Sequence, residues 1–236
     1  EAELKALNPD VFVTASYGQI IKQNILDIPR FGTYNVHASL LPKYRGSSPI
    51  QWAIMNGEKT TGITIMKTEL GLDCGDMYLQ KEIQIEDSDT SSSVFNKLAI
   101  LGAECINEFL DNIEFYLKNG KKQDESQMTY FPMIKKEDYL LDFNLTANAF
   151  VNKVRALENC YFVYNGMRYK VQKASSVKMQ GKPGEILSCN SKSGLIIATK
   201  TDAVEIETIQ PEGKQKMPAK AYMNANKFCL HDVINN

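Results

Sequence analysis

Asn35-Val36-His37-Ala38-Ser39-Leu40-Leu41-Pro42-Lys43-Tyr44-Arg45-Gly46 decides how the chain is read. Tyr34 and Val36 are strand formers. Asn35 and His37 alternate with them, so the two polar side chains share one face of a β-strand. Ser39-Leu40-Leu41-Pro42 turns the chain, and Ser48-Pro49 starts a helix, with the hydroxyl as N-cap and proline at the first helical position. Polar residues at the carboxyl end of a strand, followed by a loop and a helix, mark where open α/β sheets place their sites.

An amide beside an imidazole offers donors for a developing oxyanion, and the imidazole can carry a proton near neutral pH. A nucleophile is not apparent. Ser39 lies in Asn-x-His-x-Ser rather than in the Gly-x-Ser-x-Gly turn that exposes a nucleophilic serine. The pattern therefore favours direct transfer, in which a bound substrate supplies the attacking atom. Downstream, Gly62-Ile63-Thr64-Ile65-Met66 reads as an apolar strand leading to Gly71-Leu72-Asp73-Cys74-Gly75-Asp76. Glycines on both sides of Asp73 allow a tight loop. A carboxylate there can orient His37 or take a proton from an amine. By itself a histidine near a strand end is more often a satisfied structural residue, and it is the second motif that raises Asn35 and His37 above that reading.

Together, Asn-x-His-x-Ser-Leu-Leu-Pro-x-Tyr-Arg-Gly and Gly-Leu-Asp-x-Gly-Asp resemble the formyl-tetrahydrofolate transferase family. The stretch from Leu187 to Met223, with Ile209-Gln210-Pro211-Glu212-Gly213-Lys214, resembles the end domain of the members that act on initiator tRNA. The resemblance covers essentially the whole chain. It implies an α/β, Rossmann-like formyltransferase domain over residues 1–118, a linker over 119–137, and a small OB-like β-barrel, binding tRNA, over 138–236. The implied reaction moves the formyl group of 10-formyltetrahydrofolate to the methionine amino group of initiator methionyl-tRNA. Asn35, His37 and Asp73 are then catalytic. Gly18, Gln19, Ile20, Ser39, Leu40, Leu41 and Pro42 wall the folate pocket, Arg45, Lys135 and Lys136 face the tRNA, and no metal takes part. The same motifs leave open a formyltetrahydrofolate hydrolase, a sugar-nucleotide formyltransferase, or a silent tRNA- or folate-binding module. The sequence departs from the family at Arg155-Ala156-Leu157-Glu158-Asn159-Cys160-Tyr161-Phe162, which lacks the usual proline-rich stretch.

At 43% hydrophobic and 23% charged residues, the composition is that of a soluble globular protein. No apolar run approaches the roughly 20 residues of a membrane helix, and the opening Glu1-Ala2-Glu3-Leu4-Lys5 is no signal peptide. The five cysteines form no CxxC pair, against zinc and disulfide frameworks and in favour of a reducing compartment. A cytoplasmic, bacterial-type, monomeric enzyme is expected. The net charge of -1 hides an asymmetry: residues 138–236 carry 13 Lys and Arg against 9 Asp and Glu, and residues 1–137 carry 14 against 19. A mildly basic second domain suits phosphates.

Val11-Phe12-Val13-Thr14-Ala15 reads as a buried parallel strand. Nothing before Glu1 supplies the strands that begin a Rossmann-like half, so the chain is expected to be incomplete at its N-terminus and poorly folded there. Helices are expected at Pro49–Asn56 and Thr146–Leu157, and the strongest at Ser92–Leu117, where Val94, Leu98, Leu101, Cys105, Phe109 and Ile113 make an apolar stripe. Cys105 on that stripe is core filler. Tyr161–Tyr164, Asn165-Gly166 and Met167–Lys173 spell a hairpin, followed by short strands to Gln210. His231 sits in no motif.

Overall fold

The computed structural model describes residues 1–235. These form two units, one of residues 1–53 and 58–133, the other of residues 54–57 and those from 134 onward.

The first unit is built on a sheet of β1 (Phe12–Thr14), β2 (Thr33–His37), β3 (Thr60–Lys67) and β4 (Met77–Gln84) in that spatial order. β1 runs parallel to β2, whereas β2–β3 and β3–β4 are antiparallel. The sheet is therefore mixed, not wholly parallel. β1 is also shorter and wetter than its apolar run predicts: among the described residues it has a ladder partner on one side only, and Val13 is 42% exposed. The buried strand is β3, six of whose eight residues are buried in succession, from Thr61 to Met66.

Short helices α1 (Ala2–Ala6), α2 (Gln23–Leu26) and α3 (Pro49–Met55) precede the long α4 (Ser91–Asp111). Thr90 caps α4, its hydroxyl accepting from the Ser93 N–H while the Ser93 hydroxyl accepts from the Thr90 N–H. The stripe buries Val94, Leu98, Gly102, Cys105 and Phe109. Gly102 replaces Leu101 at the line of contact: a Cβ there would stand 3.0 Å from Val36 Cγ1, so the helix lies close against β2. The single helix expected to reach Leu117 breaks at Asn112, with φ -124° and ψ 31°, before α5 (Ile113–Lys118). Asn112 Nδ2 donates to the Glu108 carbonyl, the local competition through which asparagine ends helices.

Residues 119–133, the greater part of the expected linker, fold onto the first unit. Lys121 and Met77 exchange backbone hydrogen bonds of 2.8 Å in both directions. Phe131 stacks on both Tyr44 and Trp52, each 5.0 Å away between ring centroids, and Trp52 Nε1 donates to the Pro132 carbonyl at 2.9 Å. Aromatic burial and backbone pairing hold this segment where its polar composition predicts a tether.

The second unit contains α6 (Ala147–Leu157), β5 (Cys160–Tyr164), β6 (Met167–Val177), β7 (Ile186–Asn190), β8 (Gly194–Ala198), β9 (Ala203–Pro211), β10 (Met217–Pro218) and α7 (Ala219–Tyr222). The antiparallel sheet has the order β5-β6-β9-β8-β7, with β10 also paired to β9. The β5–β6 hairpin turns at Asn165 (φ 49°) and Gly166 (φ 74°), the paired left-handed conformations its Asn-Gly sequence demands. Phe162, Tyr169 and Phe228 meet in the core. Tyr164 joins them and is pinned by its hydroxyl, which donates to Asp232 at 2.7 Å. Burial first, and then this bond to a carboxylate, push its pKa up to about 12. The proline-free connection after α6 is tight: Glu158 turns left-handed at φ 57°, and the chain enters β5 two residues later.

Candidate functional site

Parallel pairing of β1 with β2 sets Thr14 opposite Asn35. The Thr14 hydroxyl donates to Asn35 Oδ1 at 3.1 Å. With its oxygen engaged there, the Asn35 carboxamide presents its two N–H donors elsewhere.

His37, two residues on and on the same face, is 5% exposed. Its Nε2 lies 3.1 Å from the Tyr44 carbonyl oxygen. A carbonyl only accepts, so Nε2 carries a hydrogen. Its Nδ1 faces Asp73 Oδ1 at 3.7 Å, an ion-pair spacing without a direct hydrogen bond. Asp73 is fixed from the other side, where Oδ2 accepts from the Gly46 N–H at 2.8 Å. The loop around it turns at Asp73, whose φ of 48° lies in the left-handed region that aspartate enters more readily than most residues. Gly46 is required by the same close packing. It has φ 118°, and a Cβ would stand 2.2 Å from the Phe131 carbonyl oxygen.

The turn from Ser39 to Pro42 contains a cis peptide bond between Leu41 and Pro42. It is held from β3 and β4. Thr64 Oγ1 donates to the Ser39 carbonyl at 2.6 Å and accepts from the Leu41 N–H at 3.2 Å, and Gln80 Nε2 donates to the Leu41 carbonyl at 2.8 Å. Ser39 and Leu41 are buried, and the Ser39 hydroxyl is spent on the Lys43 carbonyl at 2.7 Å. Ser39 is thus structural at the level of its side chain. Gly18, Gln19 and Ile20 are exposed on the loop that follows β1, beside the end of the sheet that carries Asn35.

Arg45, expected to face nucleic acid, is only 6% exposed. Its guanidinium donates to Gln123 Oε1 and, bidentately, to Glu125 at 2.7 and 3.1 Å, so its charge is answered within the chain. Lys135 and Lys136 are exposed where a short 3-10 turn, Lys136–Tyr139, begins. His231 pairs with Glu185 at 2.9 Å.

Among the described residues, no group of three or more His, Cys, Asp and Glu is placed to hold a metal ion, and no helix is long and apolar enough to cross a membrane. Thr14, Tyr44, Thr64, Gln80 and Gln123 all hold site residues in place, and sequence reasoning named none of them in that role. Thr14, as the polar residue ending β1, and Tyr44, as a member of the first motif, carried a signal.

The family profile described as formyl transferase matches residues 1–110, and that of the formyl transferase C-terminal domain matches residues 133–227. The methionyl-tRNA formyltransferase of Caldanaerobacter subterraneus is 45% identical over 230 residues, covering 94% of this chain and 72% of that protein. The chain belongs to the methionyl-tRNA formyltransferase family. Solved formyltransferase structures share its fold: the methionyl-tRNA formyltransferase of Clostridium thermocellum superposes with a TM-score of 0.61 at 23% identity, over 75% of this chain and 76% of that one. HypX from Aquifex aeolicus, in complex with tetrahydrofolic acid, gives a TM-score of 0.69 at 21% identity, over 98% of this chain and 42% of that one. Asn35, His37 and Asp73 of this formyltransferase lie within the first matched range. Gln123 and Glu125 lie in the interval between the two ranges.

Proposed function

We propose that the chain transfers the formyl group of 10-formyltetrahydrofolate to the amino group of methionine on initiator methionyl-tRNA, with Asn35, His37 and Asp73 at the reacting atoms. The observation that carries this reading is the convergence of an anchored carboxamide, a buried imidazole and a carboxylate 3.7 Å from that imidazole, with no nucleophile among them. It is supported by the relatives, whose named activity is formyl transfer to methionyl-tRNA.

The folate co-substrate supplies an activated formyl carbon. Asn35 Nδ2 donates to the formyl oxygen as it gains negative charge under attack by the acceptor amine, and the His37 ring, with Nε2 held by the Tyr44 carbonyl and Nδ1 facing Asp73, supports that charge electrostatically. Asp73, or a water it holds, accepts the proton the amine loses as its nitrogen bonds to carbon. That proton then leaves with the folate nitrogen as the old carbon–nitrogen bond breaks, so no acyl-enzyme forms. The exposed backbone of residues 18–20 and the turn at residues 39–42 flank Asn35 and form the pocket wall. Lys135 and Lys136 meet the tRNA, and the protein works as a cytoplasmic monomer. Turnover of 10-formyltetrahydrofolate measured with charged initiator tRNA, with an amino-sugar nucleotide, and with water alone tests the assignment. Formylation of the tRNA alone is expected; preference for either other acceptor overturns it.

A further inference from the structure

Gln123 stands outside both family-matched ranges and in the segment that composition marks as a connector, yet it is 8% exposed. Its carboxamide is fully used. Nε2 donates to the Asp73 carbonyl at 2.7 Å and to the Gly75 carbonyl at 2.9 Å. Oε1 accepts from Arg45 Nε at 3.0 Å and from Arg45 Nη2 at 2.7 Å. Arg45 is in turn fixed by Glu125 and by its own backbone, whose N–H donates to Thr129 and whose carbonyl accepts from Phe131.

Residues 44–46 therefore touch the reacting groups three times. The Tyr44 carbonyl faces His37, the Gly46 N–H holds the Asp73 carboxylate, and the Arg45 side chain, through Gln123, holds the Asp73 main chain. The Asp73 backbone is in its left-handed conformation at φ 48°, and the two donors of Gln123 clamp the Asp73 and Gly75 carbonyls that follow it. A carboxylate that sits 3.7 Å from the imidazole without a bond to it depends on the loop for its place. We propose that Gln123 is a positioning residue that sets the Asp73 carboxylate against His37, with Arg45 and Glu125 as its anchor. This rests on the proposed formyl transfer for its kinetic reading, and its structural reading stands apart from it.

Two variants separate the donors from the anchor. Gln123→Glu keeps an acceptor for Arg45 and loses both donors to the Asp73 loop, and Gln123→Met loses all four bonds at similar volume. In the whole chain both are expected to lower kcat for formyl transfer by about 100-fold, the scale of an ångström of misplacement at a reacting group. KM for both substrates should stay within about twofold, because the residue touches neither. In an Asp73→Ala background Gln123→Glu should cost nothing further, since it acts through Asp73. Hydrogen exchange at the Gly46 amide gives a readout without activity. Its bond to Asp73 should be lost in Gln123→Glu, with exchange faster by roughly 5- to 10-fold, while the Thr68 amide, bonded to the Thr33 carbonyl, stays unchanged. Full kcat in Gln123→Glu, or losses that multiply with Asp73→Ala, would overturn the proposal. Should the wild-type chain formylate nothing, the functional reading falls and the Gly46 amide decides alone: unchanged exchange in Gln123→Glu sinks the clamp.

Discussion

Thr14 and Tyr44 each hold one of the side chains proposed to react by one atom, Thr14 through a hydroxyl on Asn35 and Tyr44 through a carbonyl on His37. Thr14→Val keeps the shape of β1 and frees the Asn35 amide to rotate. A donor aimed at the wrong place loses part of its effect, so kcat should fall about tenfold, the equivalent of one hydrogen bond of about 1.4 kcal/mol at the transition state. A melting temperature within a few degrees of wild type would show that the change is local; unchanged kcat would mean that Asn35 needs no anchor. His37→Ala and Asp73→Asn are expected to cost roughly 100- to 1,000-fold each. Their losses should not multiply in the double variant, because the two groups act as a unit. At this scale the nearness of His37 to Asp73 was legible as a candidate site, with Asn35 on the same face as His37, because each belongs to a short contiguous motif. Gln123 was not, because its partner Asp73 is 50 residues away and nothing near Gln123 in the chain marks it.

Among the elements, α4 was the most legible and its ends the least. A 3.6-residue stripe survives any reading of the sequence, whereas the break at Asn112 depends on one side chain choosing the Glu108 carbonyl. The start of α4 carries a pH-sensitive load. Asp89 is buried, which by itself raises its pKa. Against that, Lys97 at 2.6 Å, the Ser93 hydroxyl at 2.7 Å and the Glu86 N–H at 2.8 Å favour the ionised form and win, so the carboxyl is held below its ordinary value. A folded value below the unfolded one adds stability that is complete above the unfolded value and is lost as pH falls through the folded one. Wild type should therefore lead Asp89→Asn in melting temperature at pH 7, and the gap should close on acidification below about pH 4. A gap that did not narrow at all as pH falls below about 4 would assign the effect to geometry rather than charge. Gly46→Ala tests the other tight element. Its Cβ would press on the Phe131 carbonyl at 2.2 Å with φ at 118°, so a loss of more than about 1 kcal/mol is expected in a denaturant melt.

For the whole molecule, the two-part plan and the antiparallel second unit follow from the pattern of turns and alternating strands, and the mixed character of the first sheet does not. Strand direction is set by where each connection re-enters, and no residue in β3 records that it runs against β2. Charge is distributed in the same indirect way. The basic excess of residues 138–236 is partly answered at home: Lys173 pairs with Glu207, Lys178 with Asp202 and Lys220 with Glu205. Binding of tRNA by the intact chain should then rest on fewer phosphates than the raw count of lysines and arginines implies. Each phosphate contact contributes about one unit to the slope of log affinity against log salt. Lys135→Ala with Lys136→Ala is expected to flatten that slope by about two units and to weaken binding to any tRNA alike, because a phosphate contact carries no sequence information. Arg45→Lys should leave the slope as it is, since the Arg45 guanidinium is turned inward to Gln123 and Glu125. Titrations of the whole chain with initiator tRNA at several salt concentrations measure both. A slope untouched by the lysine pair would place those side chains in solvent, and a slope reduced by the Arg45 change would put phosphate where the clamp on Gln123 is drawn.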